Sequence, residues 1–175
     1  AINRLIEYSK VQLSGSQQFP MELFVYLAQS YFTKGRFPDA VKNLDLIPVD
    51  KWFSVKIPYL YGLIFEKNSQ YDMAAEAFEK VIKKSPNHVK ARVHLAEVYL
   101  RKANLPSAGT QADFIIKNAQ LASSTELSKA HYIRGKMLGS VNRNDEALAD
   151  LEKARRLDAE NIDVLFEYYT IRARV

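Results

Sequence analysis

The 175-residue sequence contains no cysteine, which excludes disulfide bonds, thiolate-bound zinc and cysteine nucleophiles. Glycine and proline occur only six times each, too rarely for the many tight turns of an all-β domain. No apolar run approaches the roughly 18 residues of a membrane-spanning helix, so no membrane span is predicted. A composition of 47% hydrophobic and 26% charged residues predicts a globular, helix-rich chain. A cysteine-free chain suits the cytosol or the bacterial periplasm, and we favour the cytoplasm.

The chain also lacks a large net charge. Its 25 basic and 20 acidic residues give a formal net charge of +5, which permits anionic partners. Dedicated nucleic-acid-binding proteins carry more clustered basic residues, so nucleic acid is not expected as the partner. Binding of a single strand is kept only as a remote alternative, in which Tyr59 and Tyr132 stack on bases beside lysines.

No catalytic motif is present. The sequence has no G-x-S-x-G elbow, no glycine-rich phosphate loop and no HExxH pair. His88, His94 and His131 are predicted to be structural; His94 and Glu97 share a helix face, but two ligands do not define a metal site. Glu66 and Glu97 can both face one groove, yet paired carboxylates are common by chance. We therefore predict a protein that is not an enzyme and needs no metal or cofactor.

One spacing recurs along the whole chain. Ala74 precedes an aromatic residue, Phe78, by four positions and Pro86 by twelve. An alanine recurs 34 residues before Ala74, 34 residues after it and a further 39 residues on, at Ala40, Ala108 and Ala147. Twelve positions before each of these alanines stands a small residue, in order Ala28, Gly62, Ala96 and Gly135. The five extra residues of the last step are expected in the polar segment 118–125.

This pattern resembles the tetratricopeptide repeat, a 34-residue helix–turn–helix unit with the signature W-x2-L-G-x2-Y…A-x3-F…P. The resemblance implies an all-α fold, a right-handed α-α superhelical solenoid. Small residues would let the two helices of a repeat approach closely, and stacked repeats would supply the core that no single repeat can bury. It also implies a non-catalytic scaffold or adaptor for protein–protein interaction.

The expected organisation is one continuous solenoid. An N-terminal helix and linker at 1–20 precede four repeats and a final helix, at 21–54, 55–88, 89–127 with the insertion, 128–161 and 162–175. The last segment is either the first helix of a fifth repeat or a cap. The second helices are expected to start with residues suited to a first turn, namely Pro38, Asp72, Pro106 and Asp145.

Four positions depart from the repeat signature, among them Ala112, which stands where the third repeat should have a large residue. Pro58 and His131 stand where the signature has tryptophan, and Arg134 stands where it has leucine. Proline lacks an N–H and clashes inside a helix. The helix that contains Pro58 is therefore predicted to begin no earlier than about Phe53.

The resemblance places positions 2, 5, 9, 12 and 13 of each first helix on the concave face. On this chain those positions carry lysines beside an apolar and aromatic strip. The predicted peptide-binding groove consists of Lys56, Tyr59, Leu63, Lys67, Lys90, Val93, Glu97, Leu100, Arg101, Lys129, Tyr132 and Lys136. Its partner would be another protein, bound through an extended or helical segment with acidic and hydrophobic residues.

Two other interpretations stay open. The lysines can be solvated helix faces without a ligand, and the solenoid can be an architectural section of a larger assembly that uses its edges and convex face. Binding of chaperone C-terminal tails is not expected, because only Lys90 fully matches the carboxylate-clamp positions of that subgroup. The apolar run at 164–171 predicts a cut edge, where the native chain continues or two copies associate through the C-terminal helix.

Overall fold

The computed structural model describes residues 21–49 and 54–175. Helices make up its secondary structure and no strand occurs in these ranges, which confirms the all-α fold. The described helices are α1 (Met21–Thr33), α2 (Phe37–Leu44), α3 (Lys56–Lys67), α4 (Tyr71–Lys84), α5 (Val89–Arg101), α6 (Leu105–Lys117), α7 (Ser124–Ser140), α8 (Asn144–Leu157) and α9 (Ile162–Arg172). The helix expected within 1–20 lies outside the described residues.

Consecutive helices pack in antiparallel pairs, and the pairs stack into a solenoid. The odd-numbered helices also contact one another in succession, whereas no two successive even-numbered helices make comparable contact over the described chain. A stack whose odd-numbered helices are closer together must curve toward them. These helices therefore line the concave face.

Small residues set the spacing within each pair. Ala40, Ala74, Ala108 and Ala147 have no exposed surface, as the repeat pattern predicts. A Cβ placed on Gly62 of α3 would lie 2.5 Å from the Phe78 ring of α4. The Phe78 side chain fills the space that Gly62 leaves, so the two helices approach closely.

The four turns from odd- to even-numbered helices share one conformation. Each contains a residue with a positive φ, namely Gly35, Ser69, Ala103 and Asn142, at 56° to 71°. In each turn the next amide donates to a carbonyl five residues earlier at 2.8–3.0 Å, which closes the preceding helix. Only the first turn uses glycine, so the sequence marks this backbone conformation clearly only once.

The predicted helix starts are confirmed. The even-numbered helices have Pro38, Asp72, Pro106 and Asp145 in their first turns. Helix α3 begins at Lys56, so Pro58 is its third residue, where the missing N–H has no intrahelical partner to lose.

Part of the five-residue insertion expected within 118–125 is helical. Residues 118–123 connect α6 to α7 through a short 3₁₀ turn. Helix α7 then begins at Ser124, inside the segment expected to be a break, and extends for 17 residues. Ser123 and Glu126 form a reciprocal capping box that determines this early start: the Ser123 hydroxyl accepts from the Glu126 amide, and the Glu126 carboxylate accepts from the Ser123 amide.

The two departures from the signature in α7 form one buried polar network. Arg134 donates from Nε to Asp150 Oδ2 at 2.5 Å and from Nη1 to Asp113 Oδ1 at 3.0 Å. His131 Nδ1 lies 2.9 Å from Asp150 Oδ1. Asp150 is 3% exposed. Burial by itself would raise the pKa of Asp150, but hydrogen bonds from Arg134 and His131 outweigh it and lower the pKa to about 2.

A first prediction tests the close approach of α3 and α4. Gly62→Ala should lower the free energy of unfolding by about 1–3 kcal/mol, because the new methyl group overlaps the Phe78 ring. Gly109→Ala is the matched control: its Cβ would lie 3.0 Å from the end of the flexible Met137 side chain. The control should leave the free energy of unfolding unchanged or raise it, since alanine stabilises a helix by about 1 kcal/mol relative to glycine. Urea unfolding measures both, and equal effects would contradict the packing argument.

A second prediction concerns Asp150. Asp150→Asn should cost about 2–3 kcal/mol, because it removes the buried carboxylate shared by Arg134 and His131 and leaves Arg134 paired only with the more exposed Asp113. The folded-state pKa lies below the unfolded value, so the carboxylate contributes its stability above about pH 4. That contribution, about 2 kcal/mol, is lost as the pH falls toward 2.

The measurement is urea unfolding of the native chain and the variant from pH 7 down to pH 2. The difference between them should shrink over the acid range. Asp72→Asn removes an exposed carboxylate paired with Lys102 and should cost less than about 1 kcal/mol at any pH. If the loss of unfolding free energy in Asp150→Asn is the same at every pH, the lowered pKa of Asp150 is contradicted.

Candidate peptide-binding groove

The concave face has an apolar section at its N-terminal end. A cavity of about 570 Å³ opens between α1 and α3. Side chains from the predicted concave positions line it, among them Val25, Phe32, Lys56, Tyr59 and Leu63. Lys56, Tyr59 and Leu63 belong to the predicted groove; Val25 and Phe32 do not, although they occupy positions 5 and 12 of α1, which the repeat places on the concave face.

The middle of the concave face is a chain of charged groups. His94 Nδ1 of α5 lies 2.9 Å from Glu66 Oε2 of α3 and 3.5 Å from Glu97 Oε2. Lys129 Nζ of α7 lies 2.7 Å from Glu97 Oε1. Three successive odd-numbered helices are thus joined by polar contacts. The sequence identified the His94–Glu97 pair, and the fold adds Glu66 as a third side chain that is able to bind a metal ion.

Tyr59 separates the apolar section from this charged centre. Its ring centroid lies 5.9 Å from that of Phe78 and 6.0 Å from that of His94. Burial raises the pKa of the Tyr59 phenol, and the negative charges of Glu66, Glu126 and Glu97 raise it further. These carboxylates lie beside the positive charge of Lys129, so the centre of the groove holds charges of both signs and not the purely basic surface that the lysine rows suggested.

The predicted basic residues fall into two groups. Lys129 and Lys136 are engaged, since Lys136 Nζ lies 3.5 Å from Glu167 Oε2. The other four are exposed and form no ion pair with another residue of the described chain: Lys56, Lys67, Lys90 and Arg101. Only this second group presents cationic groups to a ligand without breaking an existing contact.

The remaining predicted groove residues are less accessible. Val93 is 4% exposed and packs in a core cluster with Ala130 and Ile133 of α7, so the expectation that it lines an open groove is wrong. Leu100 and Tyr132 are partly buried against the same cluster. The close contact between α5 and α7 covers these positions, whereas the space between α1 and α3 is wider.

The fold and the groove together define a helical-repeat scaffold of the tetratricopeptide type. A family model described as the TT21 fifth ARM repeats domain matches residues 60–162, more than half of the chain. The chain therefore belongs to the TT21 fifth ARM repeats domain family. Protein-interaction scaffolding is the typical role of this kind of fold.

Solved structures share this architecture. MamA from Desulfovibrio magneticus RS-1 (residues 41 to the end) has a TM-score of 0.77 at 20% identity, covering 88% of this chain and 84% of that one. A crystal structure of MamA has a TM-score of 0.76 at 18% identity and covers 91% and 87%. The first tetratricopeptide domain of Spaghetti (RPAP3), bound to the HSP90 peptide SRMEEVD, has a TM-score of 0.61 at 21% identity and covers 69% and 91%. No curated protein matches the chain.

The helices of the described ranges are distinct from membrane spans in length and hydropathy. None of them is long and apolar enough to cross a bilayer.

Proposed function

We propose that the concave groove binds an extended or helical segment of a partner protein that carries both hydrophobic and acidic residues. The observation that carries this proposal is the apolar cavity between α1 and α3, with the exposed Lys56 at its wall. A hydrophobic side chain of the partner occupies the cavity. Partner carboxylates pair with Lys56 and with Lys90, the lysine at the same position of α5.

The charges restrict how the segment lies. Glu66 and Glu97 repel an acidic ligand from the centre, so its carboxylates bind along the edges. The same carboxylates disfavour a nucleic-acid strand, whose phosphates would pass through the centre.

One solved structure with this fold holds a peptide, which supports the general mode of binding. The sequence recognised here must differ from chaperone tails. The first two clamp positions of that subgroup hold Val25 and Gln29, which line the cavity between α1 and α3.

The third prediction tests this groove with a displayed library of random 12-residue peptides. Selected peptides should combine apolar anchors with aspartate or glutamate. Their affinity, measured by fluorescence anisotropy, should fall at least about tenfold in Lys56→Glu/Lys90→Glu, because each reversal replaces attraction by repulsion. Binding should also weaken as salt is raised.

The matched control is Lys42→Glu/Lys83→Glu, which reverses two exposed lysines on the even-numbered helices α2 and α4. It should bind the selected peptides as the native chain does. Equal loss in both double variants, or no loss in either, would overturn the groove proposal.

The apolar surface of α9 favours a second candidate function, an architectural role. Ile162 is 80% and Phe166 71% exposed, and Tyr169 is exposed beside them. The buried face of α9 is already used, since Ile171 packs against Gly139 of α7. An apolar surface of this kind, opposite a docked face, is typical of a contact with another polypeptide.

The fourth prediction tests whether that contact forms between copies of the chain. Sedimentation equilibrium should show reversible association at tens of micromolar, as hydrophobic burial drives it. Phe166→Asp should return the chain to a monomer, whereas Leu121→Asp, at an exposed leucine of the 3₁₀ turn, should not. A native chain that is monomeric at all concentrations would refute self-association through α9.

A further inference from the structure

Three ligand-type side chains meet on the floor of the concave groove. Glu66 comes from the last turn of α3, and His94 and Glu97 come from adjacent turns of α5. One ligand atom from each residue lies within 4.8 Å of the other two. Two carboxylates and an imidazole are a donor set that divalent transition-metal ions accept.

The spacing of these atoms fits neighbouring ligands of one ion. Metal–nitrogen and metal–oxygen bonds of about 2.0–2.2 Å place adjacent ligands roughly 3.0 Å apart at right angles and 3.4 Å apart at a tetrahedral angle. The separations between His94 Nδ1 and the two carboxylate oxygens are 2.9 Å (to Glu66 Oε2) and 3.5 Å (to Glu97 Oε2).

The hydrogen bonding of the cluster is incomplete. Glu66 Oε2 and His94 Nδ1 are both shielded from solvent, and neither has a hydrogen-bond partner. Their 2.9 Å contact therefore lacks the alignment of a hydrogen bond. Buried polar atoms are rarely left without a partner, and a shared cation would satisfy both.

Surrounding groups hold the cluster in place. The His94 ring stacks on Phe78 with centroids 5.5 Å apart and an interplanar angle of 13°. Lys129 occupies Glu97 Oε1, so the other oxygen of that carboxylate is the one that faces His94. Supporting contacts of this kind orient metal ligands and reduce the cost of assembling them.

We propose that Glu66, His94 and Glu97 form a binding site for a divalent transition-metal ion of the zinc class. The imidazole favours such an ion over Mg²⁺ or Ca²⁺, which prefer oxygen ligands alone. Three protein ligands leave one coordination position of a tetrahedral ion for water. These three ligands lie on α3 and α5, and the test of metal binding is separate from the test of peptide binding.

The fifth prediction is tested with ZnCl₂ and CoCl₂ added to the full chain. Isothermal titration should give one ion per chain, and bound Co²⁺ should develop a visible absorption band. His94→Gln and Glu97→Gln should each weaken binding at least about tenfold, since even a supporting residue of a metal site is worth that much. Zn²⁺ should raise the melting temperature of the native chain and not that of His94→Gln.

The matched control is His88→Asn. The His88 side chain caps α5 by accepting from the Ala91 amide at 3.1 Å, and asparagine retains this acceptor. The His88→Asn variant should therefore bind Zn²⁺ as the native chain does. Circular dichroism checks that each variant is folded. If His94→Gln does not fold, Glu97→Gln alone tests the site.

Two results would overturn the proposal. Absence of saturable Zn²⁺ binding would reduce the cluster to polar contacts within the protein. Binding that His94→Gln and Glu97→Gln leave unchanged, or that His88→Asn weakens equally, would be nonspecific surface binding.

Discussion

The whole solenoid depends on close approach between the two helices of each pair. Where Gly62 faces Phe78, the absence of one methyl group lets an aromatic ring lie against the backbone of α3. The fully buried alanines at 40, 74, 108 and 147 do the same from the opposite helix. Because every pair has a similar spacing, the odd-numbered helices come together on one side and form a groove.

Where α7 departs from the repeat signature, the replacements compensate one another. His131 and Arg134 take the places of two large apolar residues, and Asp150 of α8 lies between them as their common acceptor. A single one of these polar groups would be costly in the core. Together they satisfy one another and keep the spacing of α7 and α8. The consequence is that this stabilisation is lost at acid pH, when Asp150 becomes protonated.

The groove combines sections with different chemistry. Its N-terminal end is apolar and open, its centre is a set of coupled carboxylates, imidazole and lysine, and its free cations lie on the edges. Apolar groups, a centre with charges of both signs and unpaired cationic groups therefore occupy separate places on the concave face. In the proposed function, this arrangement would favour a segment of mixed character over a uniformly acidic one.

The sequence by itself determined the helix pairs, the positions of close approach and the first turns, because these depend on spacing along one chain. It also identified three residues of the apolar cavity, namely Lys56, Tyr59 and Leu63. The tertiary structure alone decided that Val93 is buried, that Lys129 and Lys136 are already paired, and that Glu66 joins His94 and Glu97. These outcomes depend on the distance between neighbouring repeats, which a periodic pattern does not specify, since it records which face a residue occupies and not what lies opposite.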